Sequence, residues 1–224
     1  LGLFTFLFIG DNDLNDDNFG YFSKNIEVRQ GSDFTEANLN GLNLIEYALD
    51  SKEENGISNV DSLQQVDAFA QWYRQQPEVT HVFTFTDTLK RLNQNMHGDD
   101  PAWYQLPESR ELASQYQLLF EMSLPFGMDL NNQINVNKSA LRLTVSIKGV
   151  RAKEILALEE RAQGWLQQNA PELVTPGASP SIMFATIGQR NIKSMIKGTI
   201  IATVLISLSL VFALGSWKLG ILSL

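Results

Sequence analysis

The sequence predicts an α+β domain followed by a helix that spans a membrane. Apolar patterns typical of strands and of helices alternate between residues 42 and 187. Of the 224 residues, 44% are hydrophobic and 19% are charged, which is usual for a globular domain. Residues 198–217 contain no charged side chain at all. A chain of this length can bury a substantial core and still carry a membrane segment.

The first half of the domain begins with a strand and a helix. Residues 42–49 have the composition of a strand. Residues 59–77 predict a helix that Asn59 or Asp61 can cap and that Pro77 ends. Its apolar residues recur at spacings of three and four, which predicts one buried face: Leu63, Val66, Ala70 and Tyr73.

A second strand and two further helices follow. Residues 79–86 are rich in β-branched and aromatic side chains and predict a strand, and residues 87–96 predict a helix. Residues 109–125 predict another helix, lying between a loop at 97–109 and an asparagine-rich loop at 126–139. The expected buried side of this inserted helix consists of Leu112, Tyr116, Leu119 and Phe120.

The second half of the domain repeats the pattern of strand, helix and strand. Residues 140–148 alternate apolar and polar side chains, which predicts a half-buried strand. Residues 151–171 predict a helix, and residues 180–187 predict a last strand. The residues expected in the core are Leu141, Leu143, Val145 and Ile147 on the strand and Ile155, Leu158, Ala162 and Leu166 on the helix.

The order of these elements predicts a ferredoxin-like fold. Two βαβ units in series, with a helical segment inserted between them, form the split βαβ topology, which places helices on one face of an antiparallel sheet. The pattern covers residues 40–187.

The uncharged segment 198–217 predicts a transmembrane helix. At 1.5 Å per residue its twenty residues span about 30 Å, the thickness of the hydrocarbon core of a bilayer. Lys193 and Lys197 before it, and Trp217 and Lys218 after it, are typical of side chains at the membrane interface. The alternative, a buried helix of a soluble domain, rarely stays uncharged for so long.

The N-terminal residues predict the end of another membrane segment. Residues 1–9 are apolar but too short to span, so they form either a buried strand or, as we favour, the tail of a truncated transmembrane helix. The Asp11–Asp17 cluster would then lie at the water interface. Because the chain begins with Leu1 and lacks a signal peptide, we expect it to belong to a longer protein.

The acidic cluster can also be tested against a calcium-binding loop. Asp11, Asp13 and Asn15 match the first three ligand positions of an EF-hand. Asp16 occupies the position that needs glycine, and Phe22 the position that needs a bidentate glutamate. A solvated turn is therefore the better interpretation, with cation binding left open.

Composition excludes several other classes of function. The net charge of −8 argues against nucleic-acid binding, and the absence of cysteine excludes disulfides and thiol nucleophiles. His97 with Asp99 and Asp100 could supply a metal site, but no spacing specifies one, and His81 is expected to be an ordinary sheet residue.

No motif indicates an enzyme or a cofactor. The adjacent pairs Glu53–Glu54 and Glu159–Glu160 are interpreted as solvated surface charge. The remaining aromatic candidates are expected mostly in the core, although some could line a path for an apolar molecule: Trp72, Tyr73, Trp103, Tyr104, Phe120 and Trp165.

Several stretches resemble the C-terminal half of predicted exporters of the resistance-nodulation-division (RND) superfamily, in the branch with the membrane domain of mycobacterial large proteins. They include NDLNDDNFGYF, VRQGSDFTEANLNGLNLIEYAL, LKRLNQNMHGDD, YQLLFEMSLPFGMDLNNQINVNKSALRLTV and RNIKSMIKGTIIATVLISLSL. The resemblance covers most of the chain in the same order. It departs at Gly215 and Ser216, where family members often carry Arg-Ser.

The resemblance implies a layout and a function. Residues 1–9 would end one membrane helix, 10–192 would form a periplasmic porter domain, 193–218 would form the next helix and 219–224 would begin another membrane segment. It implies a multi-pass protein of the bacterial inner membrane, driven by an ion gradient, that exports hydrophobic or lipid-like cargo as a homo-oligomer. Residues 198–217 contain no ionisable group, so the proton relay would lie in the remaining transmembrane helices.

One observation opposes this orientation, and two alternative functions remain open. Arg190, Lys193 and Lys197 lie on the side that the resemblance makes periplasmic, against the positive-inside bias. An extracytoplasmic sensor domain on a single anchoring helix, or a tethered lipid-handling or assembly protein, would fit the same pattern. The apolar residues after Lys218 favour a further membrane helix and hence the transporter.

Overall fold

A computed structural model of the chain describes residues 22–39, 41, 43–149 and 151–215. The chain divides into two compact units, with the boundary between Ile182 and Met183. The first unit contains a sheet with helices, and the second consists, within the described residues, of a long apolar helix.

The sheet of the first unit has three antiparallel strands in the order β1-β3-β2. The strands are β1 (Asn43–Asp50), β2 (Val79–Thr84) and β3 (Ala140–Ile147). Val145 of the central strand lies opposite Ile45 on one side and Val82 on the other. The three corresponding predictions from sequence are confirmed to within two residues at each end. All four apolar residues predicted on β3 are buried, and Ser146 between two of them is buried as well.

Five helices belong to the sheet-containing unit among the described residues. They are α1 (Glu27–Asn38), α2 (Val60–Arg74), α3 (Phe85–Met96), α4 (Arg110–Ser123) and α5 (Ala152–Asn169). Short 3-10 turns lie at Gly56–Ser58, Pro101–Trp103 and Pro171–Leu173.

Helices α2 and α5 supply most of the core that packs on the sheet. The Asn59 side chain accepts a hydrogen bond from the backbone N–H of Asp61 at 2.9 Å and so caps α2 as predicted. Every residue predicted on the apolar faces of the two helices is buried, and Phe69 joins them. Each fully buried Leu, Val, Ile or Phe side chain among them contributes about 1.5–3 kcal/mol through the hydrophobic effect.

Helix α4 is correctly placed, but its buried face is narrower than predicted. Ser109 caps it by accepting a hydrogen bond from the N–H of Leu112 at 3.2 Å. Tyr116 is buried as expected, whereas Leu119 is 41% exposed. Among the described elements this helix packs mainly against α3 and the Gly56–Ser58 turn rather than on the sheet, so a narrower stripe is covered.

Helix α1 was not predicted from the sequence. None of its residues is buried.

The predicted strand at 180–187 is wrong. These residues form the first turns of α6, which runs from Pro180 to Leu214. Pro at the first helical position is compatible with a helix, and the Ser179 hydroxyl accepts a hydrogen bond from the N–H of Ser181 at 3.1 Å. A short apolar run fits either structure, and the long helix that follows extends through it. The described residues therefore contain no fourth strand, and in its place a single bridge joins Ala178 to Glu46 of β1.

Among the described residues, α6 is the one helix long and apolar enough to cross a membrane. Its apolar part is almost entirely exposed, unlike a core helix of a soluble domain. Lys193 and Lys197 are exposed on it. Trp217, Lys218, residues 1–9, the Asp11–Asp17 cluster and residues 219–224 lie outside the described residues.

Candidate functional site

An open groove runs along α3 in the sheet-containing unit. One depression, of about 620 Å³, is lined by Asp87, Thr88, Arg91, Leu92, Asn95, Tyr104 and Phe120. A second, of about 460 Å³, is lined by Gln71, Arg74, His81, Val82, Phe83, Asp87, Lys90 and Tyr104. Because Asp87 and Tyr104 belong to both, we treat the two depressions as one site, the α3 groove.

The helical repeat explains why α3 presents these side chains together. Phe85, Leu89 and Asn93 are buried on one side of the helix. Residues 87, 88, 91, 92 and 95 fall on the opposite side, at spacings of one, three and four. One face of α3 therefore packs in the core, and the other face forms the floor of the groove.

Tyr104 forms a wall of the groove, and a buried asparagine holds it there. The Asn93 amide donates hydrogen bonds to the carbonyl oxygens of Trp103 at 3.2 Å and Gln105 at 3.1 Å, on either side of Tyr104. The Asn93 oxygen accepts a hydrogen bond from the Tyr116 hydroxyl at 3.0 Å. The Lys90 ammonium lies 5.3 Å from the centre of the Tyr104 ring, within cation–π range. These contacts fix the loop at 103–105 against α3.

An ion-pair network lies beneath the second depression. Lys90 Nζ contacts Asp67 at 2.6 Å and Asp87 at 3.2 Å, and Arg74 contacts Asp87 at 2.6 Å. Burial by itself lowers the pKa of Lys90, but its hydrogen bond to Asp67 and the charges of both carboxylates outweigh burial and raise that pKa above its usual value. Lys90 is therefore charged at neutral pH and neutralised locally.

Arg91 differs from these two cations. Its guanidinium donates a hydrogen bond to the Gln94 side-chain oxygen at 3.1 Å, and the Gln94 amide donates to the Asp99 carbonyl at 3.1 Å. No carboxylate among the described residues forms an ion pair with Arg91. The groove therefore holds one oriented cation whose charge is not neutralised by a described neighbour.

The predicted aromatic candidates separate into two groups. Tyr73 is in the core, where Trp72 and Trp165 pack around Phe69 with ring centroids 5.9 and 5.2 Å from it. Tyr104 and Phe120, in contrast, line the groove. Trp103 is exposed and stacks on His97 with ring centroids 3.7 Å apart.

The candidate metal residues do not converge. His97 Nδ1 lies 2.7 Å from the Asn93 carbonyl oxygen, and Asp100 caps the Pro101–Trp103 turn through the N–H of Ala102 at 2.9 Å. Within the described ranges, no group of three or more His, Asp or Glu side chains is arranged to hold a metal ion. His81 lies on β2 as predicted and is exposed in the groove.

The interpretation of Glu159 as a solvated charge is wrong. Its carboxylate accepts hydrogen bonds from the Tyr47 hydroxyl and, at 2.8 Å each, from the Gln163 amide and the N–H of Gly177. The hydroxyls of Tyr47 and Tyr73 lie 2.6 Å apart. Burial raises the pKa of both tyrosines, so both stay protonated and can donate within this network. Glu53 of the other predicted pair forms an exposed ion pair with Arg110 at 2.9 Å.

Sequence reasoning named Tyr104 and Phe120 as aromatic candidates without separating them from core residues, and it missed the charged floor of the groove. The signal present was the i, i+4, i+8 series Asp87, Arg91 and Asn95, which also occurs on any solvated helix face. No protein-family model matches the chain, and none of the curated proteins matches it. The groove and the apolar helix are therefore the features from which a function has to be argued.

Proposed function

We propose that the chain provides the cargo-handling porter domain and a coupling helix of an RND-type exporter of the bacterial inner membrane, driven by an ion gradient. The observation that carries the proposal is one continuous chain in which a domain with an amphipathic groove leads into a helix able to cross a membrane. No catalytic role is assigned to the groove.

The strand order supports a ferredoxin-like porter domain. In that fold β3 lies between β1 and β2, antiparallel to both, which is the order found here. The fourth position, beside β1, is occupied by the Ala178 segment as a single bridge to Glu46 instead of a full strand. We therefore assign the domain to a variant of the ferredoxin-like fold in which the fourth strand is shortened.

The segment that leads into α6 is bonded firmly to the sheet and to α5. Ala178 and Glu46 exchange two backbone hydrogen bonds at 2.8 and 2.9 Å. The N–H of Gly177 donates to Glu159, and the Ser181 hydroxyl donates to the Asn43 side-chain oxygen at 2.7 Å. These bonds hold residues 177–181 to the sheet and to α5 within the first unit.

The proposal also covers the ends of the membrane helix, the partners of the chain and the location of the proton relay. Lys193 and Lys197 would lie at the lipid headgroups, with Trp217 and Lys218 at the opposite interface. The partners are the bilayer, hydrophobic or lipid-like cargo, the remaining transmembrane helices and further copies of the chain. The proton relay belongs to those other helices, because the described part of α6 after Lys197 has no ionisable side chain.

The location of the domain can be tested by cysteine labelling of the whole protein, since this chain has no cysteine of its own. Thr88→Cys places a thiol in the groove, and we expect a membrane-impermeant maleimide to label it in intact spheroplasts. Ala162→Cys, at a buried position, is the matched control and should react only after unfolding. Labelling of Thr88→Cys only after membrane rupture would contradict a periplasmic domain.

The transport activity needs a separate measurement. Cells that produce the whole protein should expel the lipophilic dye Nile red faster than cells without it, and a protonophore should abolish the difference. The same dye retention with and without the protein would refute the exporter. A soluble signalling module encoded after residue 224 would indicate the sensor instead.

A further inference from the structure

We propose that the α3 groove binds an amphiphile with an anionic head group, and that Arg91 is the residue that recognises this head. The inference rests on the proposed function only in calling this molecule the cargo. It adds the chemical class of the ligand and the residue that selects it.

The head group is assigned to Arg91 because of the charges around it. The two depressions are lined by three cations, Arg74, Lys90 and Arg91, and by one carboxylate, Asp87. Asp67 also pairs with Lys90, and the Asp99 carboxylate lies beside Asn95 without an ion pair to Arg91. The carboxylates of Asp67 and Asp87 already form ion pairs with Arg74 and Lys90, whereas Arg91 forms no ion pair with a described carboxylate. In a chain of net charge −8, a local positive surplus attracts an anion to this place in particular.

The geometry of Arg91 also suits an anion. Gln94, only 8% exposed, accepts one guanidinium N–H and is itself held by the Asp99 carbonyl. The guanidinium is thereby oriented, while its other N–H groups remain to bind the two oxygens of a carboxylate or a phosphate.

The body of the ligand is assigned to the apolar walls. Leu92 and Phe120 are half-buried beside Arg91, and Phe120 packs on Phe85 of the core with ring centroids 6.0 Å apart. The Tyr104 ring, 46% exposed, closes the other side. This depression of about 620 Å³, in which the polar side chains Asp87, Thr88, Arg91 and Asn95 lie beside the apolar walls, is of the size that small-ligand sites have.

The experiment uses the full chain with Thr88→Cys, labelled with acrylodan, in nanodiscs of neutral phosphatidylcholine. Sodium octanoate and octyl phosphate are titrated as the two anionic heads, and octyltrimethylammonium and octyl glucoside serve as cationic and neutral controls. The change in acrylodan emission gives a dissociation constant for each. Arg91→Gln is the test variant. Lys153→Gln, an exposed cation on α5, is the matched control for the change in net charge.

We expect at least one of the two anions to bind, with an affinity that Arg91→Gln lowers about tenfold or more and Lys153→Gln leaves unchanged. Which anion binds more tightly distinguishes a carboxylate from a phosphate head. Binding of the cationic or neutral amphiphile as tight as that of the anions, an unchanged affinity in Arg91→Gln, or no response to either anion would each overturn the inference.

The outcome is separable from that of the proposed function. Proton-driven dye efflux without Arg91-dependent anion binding would overturn the ligand class alone. Arg91-dependent binding without any efflux would refute the exporter and leave the anion site in place.

Discussion

Replacing Asn93 by alanine tests whether the α3 groove is built as described. The side chain is 3% exposed and makes three hydrogen bonds, to the carbonyl oxygens of Trp103 and Gln105 and with the hydroxyl of Tyr116. Asn93→Ala removes all three, and the Trp103 carbonyl keeps only the hydrogen bond from the N–H of Gln105 at 2.8 Å. We expect the loop that carries Tyr104 to detach from α3 and the domain to lose stability.

The size of the effect follows from these contacts. Neutral hydrogen bonds contribute about 0.5–1.5 kcal/mol each, so three amount to roughly 1.5–4.5 kcal/mol. Alanine favours a helix over asparagine by up to about 0.7 kcal/mol, which offsets part of the loss. The free energy of unfolding should therefore fall by about 1–4 kcal/mol.

The assay is guanidinium-induced unfolding of the whole chain in detergent micelles, followed by tryptophan fluorescence. Trp72 and Trp165 pack against the core and report its loss. Asn169→Ala, at the exposed last residue of α5, makes the same chemical change without a buried network and should alter stability by less than about 0.5 kcal/mol. If Asn93→Ala destabilises no more than this control, Asn93 does not hold the groove together.

Two further predictions concern the rest of the domain. Gly177→Ala should destabilise the domain by about 1–3 kcal/mol in the same assay, because the new Cβ would lie 2.6 Å from Glu159 Oε2. Gly164→Ala on α5 is the control: its Cβ meets no atom within 4 Å, so it should stabilise the domain by up to about 1 kcal/mol. Equal effects of the two substitutions would contradict the packing at Gly177. Burial raises the pKa of Glu121, but hydrogen bonds from Gln117 and Lys138 and the charge of Lys138 lower that pKa by more. The ionised Glu121 side chain therefore stabilises the folded state above pH about 4.3, and this stabilisation is lost as the pH falls below that value. Glu121→Gln should make stability fall less steeply as the pH drops below about 4.3, and an unchanged slope would refute this assignment.

Local periodicity was enough to predict much of the secondary structure. Alternation along Leu141, Leu143, Val145 and Ile147 predicted a strand buried on one face, since successive side chains of a strand point to opposite sides. The spacing of Ile155, Leu158, Ala162 and Leu166 predicted the buried face of α5 for the corresponding helical reason. The uncharged run after Lys197 predicted the apolar helix, because length and hydrophobicity alone define such a segment.

Local periodicity could not predict the α3 groove, because its residues come from segments that are far apart in the chain. Tyr104 and Phe120 could not be told from core aromatic residues by sequence, and only the packing of α3 beside the 103–105 loop and α4 makes them walls of a groove. Glu159 resembled a solvated charge until the fold brought it to Tyr47 and Gly177.

The sequence by itself determined the class of the domain, the faces of its main helices and strands and the presence of the apolar helix, since each depends on neighbours within a few residues. Only the tertiary structure decided that residues 180–187 continue into a helix, because a short apolar run suits either structure until its surroundings select one. It also decided that Arg91 alone keeps an unneutralised charge among the described cations of the α3 groove. Ion pairs form between residues far apart in sequence, and no local pattern encodes which side chains the fold will bring together.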